Sequence, residues 1–273
     1  MVFWQQAIGI VYAGLCRLLR INPSDEIYIL MFILVPKKRR GLSAKLVEYA
    51  LGAKQVRYVC SYNQSETALY RSLFPSLAEK FVDLPFCEEI PGVERFIVTD
   101  KGYFLDAGRS NRDHAFLVEA FRANGEKLVI LDDYKHSEAL PENVQIITDA
   151  YGDRYFQYIS DCRALVFAFL DPVISAGQLV FLHGAQLGKP AVVVRSHCLD
   201  GYAEDGVNSL AVDRTVEGVE KAVRRLRDPL LAEALSAEAK RLHSERHSLR
   251  TLAKAVSSLL HRRPPTRPGQ TAQ

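Results

Sequence analysis

Arg109 and Arg112 stand three residues apart in the stretch YFLDAGRSNRDHAFL, directly after an apolar run and a glycine, Gly108. A guanidinium donates two parallel hydrogen bonds to a phosphate or carboxylate. Two of them leaving a strand end beside helix amides suit a diphosphate; the competing reading pairs both with Asp106 and Asp113. A second stretch, ISAGQLVFLHGAQLGKPAVVV from Ile174 to Val194, reads as a helix running straight into a buried strand. Ser175 and Gln178 fit an S-x-x-Q capping box. Gly188 supplies a left-handed stop, and Pro190 prevents the helix from continuing. Ser175, Ala176 and Gly177 are small enough to let a ligand approach the first-turn amides, through Gln178 and Leu179, where the helix dipole favours an anion. His183 is a lone histidine in mid-helix. It offers either a ligand contact or a bond to a neighbouring carbonyl within the core.

The elements that must position these residues follow from periodicity. Apolar runs of four to eight residues alternate with helical segments, the pattern of parallel α/β sheets. The first part gives a helix in AIGIVYAGLCRLLRI, a strand over Ile27–Val35, a helix over Leu42–Leu51 and a strand over Val56–Cys60. NQSETALYRSLF opens with capping residues and reads as a helix, and FVDLPF as a short strand. The polar passage CEEIPGVER reads as a linker. Thereafter RFIVTD, GYFLDAG, KLVILDD, VQIITDA, ALVFAFL and PAVVV read as strands, with helices over Asp113–Ala123 and DRYFQYISDC. Three helical segments follow, Val216–Arg227, Pro229–His243 and Arg246–His261. A doubly wound unit normally opens with a strand, a glycine-rich turn and a helix; here VFWQQ stands in that place, so the amino-terminal unit reads as shortened. The expected division is a partial Rossmann-like domain over 1–98, a second over 99–245, a helix at 246–261 packing back on the first, and a disordered tail at 262–273.

Bulk properties narrow the function. The 273 residues carry a net charge of only +3, which gives no global electrostatic case for nucleic acid. Five scattered cysteines without C-x-x-C spacing argue against a disulfide framework or zinc site and suit a reducing cytoplasm. The longest apolar run, IYILMFILV, is far short of the roughly 20 residues that a membrane helix needs. PKKRR at 36–40, beside the apolar helix near Ala7–Ile21, fits either a solvated basic loop or contact with an anionic membrane. No Asp-x-Asp pair offers a divalent metal site, and the adjacent carboxylates of Leu131–Asp133 point to opposite faces of their strand. Asp205, Gly206 and Asn208 read as a turn.

In order and spacing, Tyr103 to Asp213 resembles the carboxy-terminal, nucleotide-sugar-binding domain of GT-B glycosyltransferases, the large group 1 (family 4-like) set. AGRSNRDH matches its Gly-Arg turn with a following basic residue, CRALVFAFLDP its fourth strand, SAGQLVFLHGAQLGKPAVV its donor-site helix and EDGVNSLAVD its last strand. VRYVCSYNQSETALY is similar to a segment of the acceptor-side domain. The resemblance implies two Rossmann-like domains, the first one short. It also implies metal-independent transfer of a sugar from a UDP- or GDP-sugar to a polysaccharide, glycoconjugate or lipid-linked acceptor, with no cofactor, in the cytoplasm or at the inner face of a membrane. Carried over residue by residue, Arg109 takes the diphosphate-binding arginine. The second basic position falls near Arg112 or His114. Arg109 and Arg112 thereby become the catalytic pair, and Gly108, Ser175, Ala176, Gly177, Gln178, Leu179 and His183 the donor contacts. The family's two glutamates fall on Ser175 and His183, an SGQ-type variant of the motif in which His183 would hold the ribose. A non-catalytic relative acting as a binding subunit is the alternative.

Overall fold

The computed structural model describes residues 1–137 and 139–261, so the tail expected at 262–273 lies outside the described residues. Two parallel sheets carry the chain. The first holds β1 (Val2–Phe3), β2 (Ile27–Ile29), β3 (Val56–Ser61) and β4 (Phe81–Asp83), adjacent in that order. Helices α1 (Gln6–Leu18), α2 (Gly41–Leu51) and α3 (Gln64–Leu73) connect them. The chain thus opens with a strand and a helix, joined by Trp4 and Gln5 rather than by a glycine turn. The run Ile27–Val35 is a strand only as far as Ile29. Beyond it Leu30 and Phe32 N–H still reach the flanking strands, at the Phe3 and Cys60 carbonyls, but Ile33 N–H bonds Gln6 Oε1 and Leu34 N–H the Tyr70 hydroxyl. Burial of Phe32 and Leu34 explains why the run stays apolar without staying in the sheet.

The second sheet has six strands, β5 (Tyr103–Ala107), β6 (Lys127–Leu131), β7 (Val144–Ile147), β8 (Ala164–Phe167), β9 (Ala191–Val194) and β10 (Ser209–Val212). Their order, β10-β9-β8-β5-β6-β7, is that of the doubly wound fold, with its switch point between β5 and β8. Helices α5 (Asp153–Asp161), α6 (Gln178–Gln186) and α8 (Pro229–Arg246) bury one face, centred on Leu165, Phe167, Leu182 and Ala239. Helices α4 (His114–Asn124) and α7 (Val216–Arg225) bury the other, through Leu117, Phe121, Val219 and Val223. RFIVTD is not a strand: Ile97 and Val98 are exposed, and the first strand of this sheet begins at Tyr103. Residues 205–208 do form a turn, with Gly206 left-handed and the Asn208 side chain bonding the backbone of Tyr202 and Glu204.

α9 (Leu249–His261) places Leu252, Val256 and Leu259 against Tyr28, Tyr58 and Val82, covering the face of the first sheet opposite α1 and α2. The sheets also meet directly. The Tyr202 hydroxyl donates to the Tyr62 carbonyl and accepts from Phe86 N–H, and Gln186 Oε1 accepts from Ile90 N–H. No helix among the described residues is long and apolar enough to cross a membrane.

Candidate functional site

At the switch point, β5 ends on Gly108, whose φ of +109° lies in the left-handed region that L side chains avoid. The turn folds Arg112 back beneath the strand end. Its Nε and Nη2 donate to the Ala107 carbonyl at 3.0 and 2.8 Å, and Nε lies 3.4 Å from Asp106 Oδ1. The guanidinium lies 5.0 and 5.1 Å from the ring centroids of Phe167 and Phe169. Burial pulls its pKa down, with Asp106 opposing, yet an arginine starts so far above neutrality that it stays charged. Nη1 is buried and has no hydrogen-bond partner among the described residues.

Across from Nη1 begins α6, and the capping box expected there is absent. The helix starts from Gly177 with φ +88° and no side-chain cap. Ser175 Oγ accepts from Asn63 Nδ2 at 3.0 Å, and Gln178 Nε2 donates to the Cys198 carbonyl at 2.6 Å. Both candidate caps are drawn away by partners on other elements, which no local pattern can show. A Cβ on Gly177 would stand 2.8 Å from Arg112 Nη1 and 3.0 Å from the Phe169 ring, so this glycine is needed for fit as well as for conformation. Gly188, by contrast, is the left-handed stop expected, and Ala191–Val194 is fully buried. Leu179 is exposed on the first turn, while Ala176 points into the core.

Arg109 is exposed and faces outward. Its Nη2 donates to the Tyr151 hydroxyl at 2.8 Å, and its Nε lies 3.6 Å from both Asp132 Oδ1 and Asp133 Oδ1. The pairing with Asp106 therefore holds for Arg112 only; Asp113 instead caps α4 at Phe116 N–H and pairs with Arg214. Between the arginines runs a chain of side chains. His114 bonds Asp106 Oδ2 at 2.8 Å through Nδ1 and Asp132 Oδ2 at 2.7 Å through Nε2. Burial disfavours the charged ring, but the two carboxylates outweigh it and its pKa is raised, so His114 is an imidazolium locked in place. The resemblance puts the second basic position near Arg112 or His114; both nitrogens of His114 are taken by carboxylates. Asp106 and Asp132 sit at the ends of adjacent strands β5 and β6, and that register is the signal that would have revealed the bridge.

His183 is buried on the α5 side of α6. Nδ1 lies 3.1 Å from the Tyr155 hydroxyl, and its ring meets Tyr155 and Phe156 edge-on. Its partner is a hydroxyl rather than a carbonyl. Burial, with His243 nearby, lowers its pKa to about 4, so the ring is neutral. Tyr155, whose hydroxyl meets His183, lies within electrostatic reach of Arg112.

A cleft of about 490 Å³ opens beside Ser175, bounded by Ile33 and Val35 of the first sheet's side and by Asn111, Leu170 and Asp171 of the second. Its wall is tightly bonded. Asn111 brackets Asp171, donating Nδ2 to its carbonyl and accepting its N–H, and Asp171 Oδ1 accepts from Val173 and Ile174 N–H. Arg39 of PKKRR reaches across to Asp171 Oδ2 at 3.3 Å, so one residue of that segment is neither solvated nor free for a membrane. Nearby, burial raises the Glu66 carboxyl, against the Ser175 and Tyr70 hydroxyls. The site thus assembles Gly108, Arg112, Gly177 and Ser175 directly, joins Arg109 through the Asp–His–Asp bridge, and leaves His183 behind it.

Solved structures with this arrangement of sheets are numerous. HepE of Anabaena in complex with UDP aligns with a TM-score of 0.74 over 95% of this chain and 78% of its own, at 14% identity. The two parallel sheets are those of the GT-B fold. Sucrose-phosphate synthase from Thermosynechococcus elongatus gives 0.70 at 13% identity over 95% and 71%. The pneumococcal O-GlcNAc transferase GtfA, in complex with UDP and GlcNAc, gives 0.66 at 14% over 87% and 53%. These neighbours are GT-B glycosyltransferases. No family model matches the chain, and no curated protein does.

Proposed function

We propose that this protein transfers a sugar from a UDP- or GDP-sugar to a glycan or lipid-linked acceptor, without a metal. The observation that carries the reading is the buried, charged Arg112 whose Nη1 lacks a hydrogen-bond partner among the described residues and faces the glycine turn at which α6 begins. A dry guanidinium with a free donor is costly unless something anionic completes it. Helix amides at the same point favour an anion too. As the glycosidic bond to the donor breaks, negative charge builds on the departing diphosphate. Arg112 and the Gly177–Leu179 amides would meet it from below, and Arg109, exposed at the rim, from above. The imidazolium of His114 holds Asp106 and Asp132 in place, so neither carboxylate is free to turn toward the phosphates. The cleft bounded by Ile33 and Ser175 would take the sugar and acceptor. A domain division at 1–98 and 99–245 accompanies this reading, each sheet supplying one wall.

A specific observation favours a second reading, that of a non-catalytic binding subunit. Ser175 and His183, which stand where the resemblance puts two glutamates, are both engaged internally, with Asn63 and Tyr155. Isothermal titration with UDP, GDP and their sugars tests the site. Binding of a nucleotide sugar, with its sugar moved onto an added acceptor and the nucleoside diphosphate released, supports transfer; binding without turnover supports the subunit. A folded sample that binds none of them sinks the transfer reading.

A further inference from the structure

α1 is apolar on two opposite sides. Gly9, Ala13 and Cys16 face the first sheet. Ile8, Val11, Leu15 and Leu18, spaced by three, four and three residues, form a single stripe on the other side, and all four are exposed. Ala7, Ile8, Val11, Tyr12 and Leu15 line a shallow groove along it. α2 lies on the same face of the sheet, Ala13 and Leu51 sharing one core, and adds exposed Leu42 and Leu46. Trp4, the single tryptophan, is exposed just before α1. An apolar surface of this breadth on two adjacent helices marks an interaction site.

Charge identifies the occupant. Residues 1–47 contain seven basic and two acidic side chains, whereas the remaining 226 contain 28 basic and 30 acidic. The chain's positive charge is therefore concentrated on the segment that carries the stripe. Lys37, Lys38 and Arg40, at the start of α2, and Lys45 within it are exposed beside the apolar residues. A second copy would bring two such basic faces together and be repelled. An anionic lipid surface satisfies both the charge and the apolar stripe, with Trp4 at headgroup depth.

We propose that the outer face of α1 and α2, with the basic turn at 37–40, docks on an anionic lipid surface. The docked face borders the cleft: Gln6 in the first turn of α1 bonds both the N–H and the carbonyl of Ile33, which lines that cleft. On the transfer reading above, an acceptor held in the lipid surface enters there; docking itself does not depend on nucleotide.

Co-sedimentation tests this with vesicles of phosphatidylcholine and phosphatidylglycerol and with vesicles of phosphatidylcholine alone. The wild-type chain binds the mixed vesicles, and raised salt weakens binding. Replacing Lys37, Lys38 and Arg40 together by Gln weakens it roughly 100-fold, at about fivefold per charge. The V11E/L15E variant, altered only at exposed positions, stays in the supernatant with the melting transition of the wild type. Absence of wild-type binding to mixed vesicles overturns the proposal, as does undiminished binding of V11E/L15E. A wild-type dimer in solution that V11E/L15E abolishes also overturns it, assigning the face to a second copy. UDP affinity, measured on the same samples, reports separately on the nucleotide site.

Discussion

The ends of β5 and β8 are neighbours at one switch point, yet they treat a buried histidine in opposite ways. After β5, His114 is wedged between Asp106 and Asp132 and is held charged. On α6, which follows β8, His183 meets a tyrosine hydroxyl and aromatic edges, with His243 nearby, and is held neutral. Burial pushes both pKa values down; only carboxylates reverse the sign. The first junction is thus an internal electrostatic wire running Arg112–Asp106–His114–Asp132–Arg109. The second is a neutral, close-packed turn. A diphosphate placed between them would meet cations on one side and bare amides on the other, with Asp106 and Asp132 tied to His114.

The largest break in this contrast comes from Asp106→Ala, which leaves Arg112 and His114 buried without their shared carboxylate. It should cost about 3–5 kcal/mol in urea unfolding. A loss near 1 kcal/mol would mean that the wire is not what holds the junction. Next is pH. His183 takes up a proton in the unfolded chain near its ordinary value but in the folded chain only near pH 4. Its contribution is therefore present above about pH 6.5 and lost as pH falls toward 4, up to about 3 kcal/mol. His183→Phe should flatten that acid limb. The raised pKa of His114 acts the other way, giving stability at and below its ordinary pKa that is lost as pH rises through the raised value. An acid limb as steep in His183→Phe as in the wild type would contradict the assignment. Smaller again is Gly177→Ala. The left-handed φ alone costs about 1–2 kcal/mol, and the added methyl displaces Arg112 Nη1 or Phe169, so thermal melting should show a modest loss and UDP titration a large one.

Much of this was legible in the chain itself. The Gly-Arg turn, the left-handed stop at Gly188 and the buried PAVVV strand follow from local rules of backbone and burial. The Asn63 cap of α3, which accepts from Glu66 N–H, was likewise readable from NQSE. What failed did so where a distant partner outbid a local one. Ser175 and Gln178 form no capping box because Asn63 and Cys198 take them from across the fold. The end of the Ile27–Val35 run leaves the sheet because Gln6 and Tyr70 satisfy its amides. Arg39 looked like one charge in a solvated run, and its ion pair lies 132 positions away at Asp171. Periodicity has no access to such pairings. The His114 bridge could have been anticipated from two aspartates ending adjacent parallel strands, had the strand order been in hand.

Arg109 gives the smallest effect on stability and the clearest on function. Its side chain is 58% exposed and its ion pairs are long, so Arg109→Ala should shift unfolding by less than about 1 kcal/mol. Titration of UDP into the wild type and Arg109→Ala is therefore the most direct test of a diphosphate at this junction. UDP should bind the wild type and lose about 1.5–3 kcal/mol of binding in the variant, the scale of hydrogen bonds to a charged group, with the melting temperature unchanged. Equal UDP affinity in the two proteins would contradict a diphosphate at this junction.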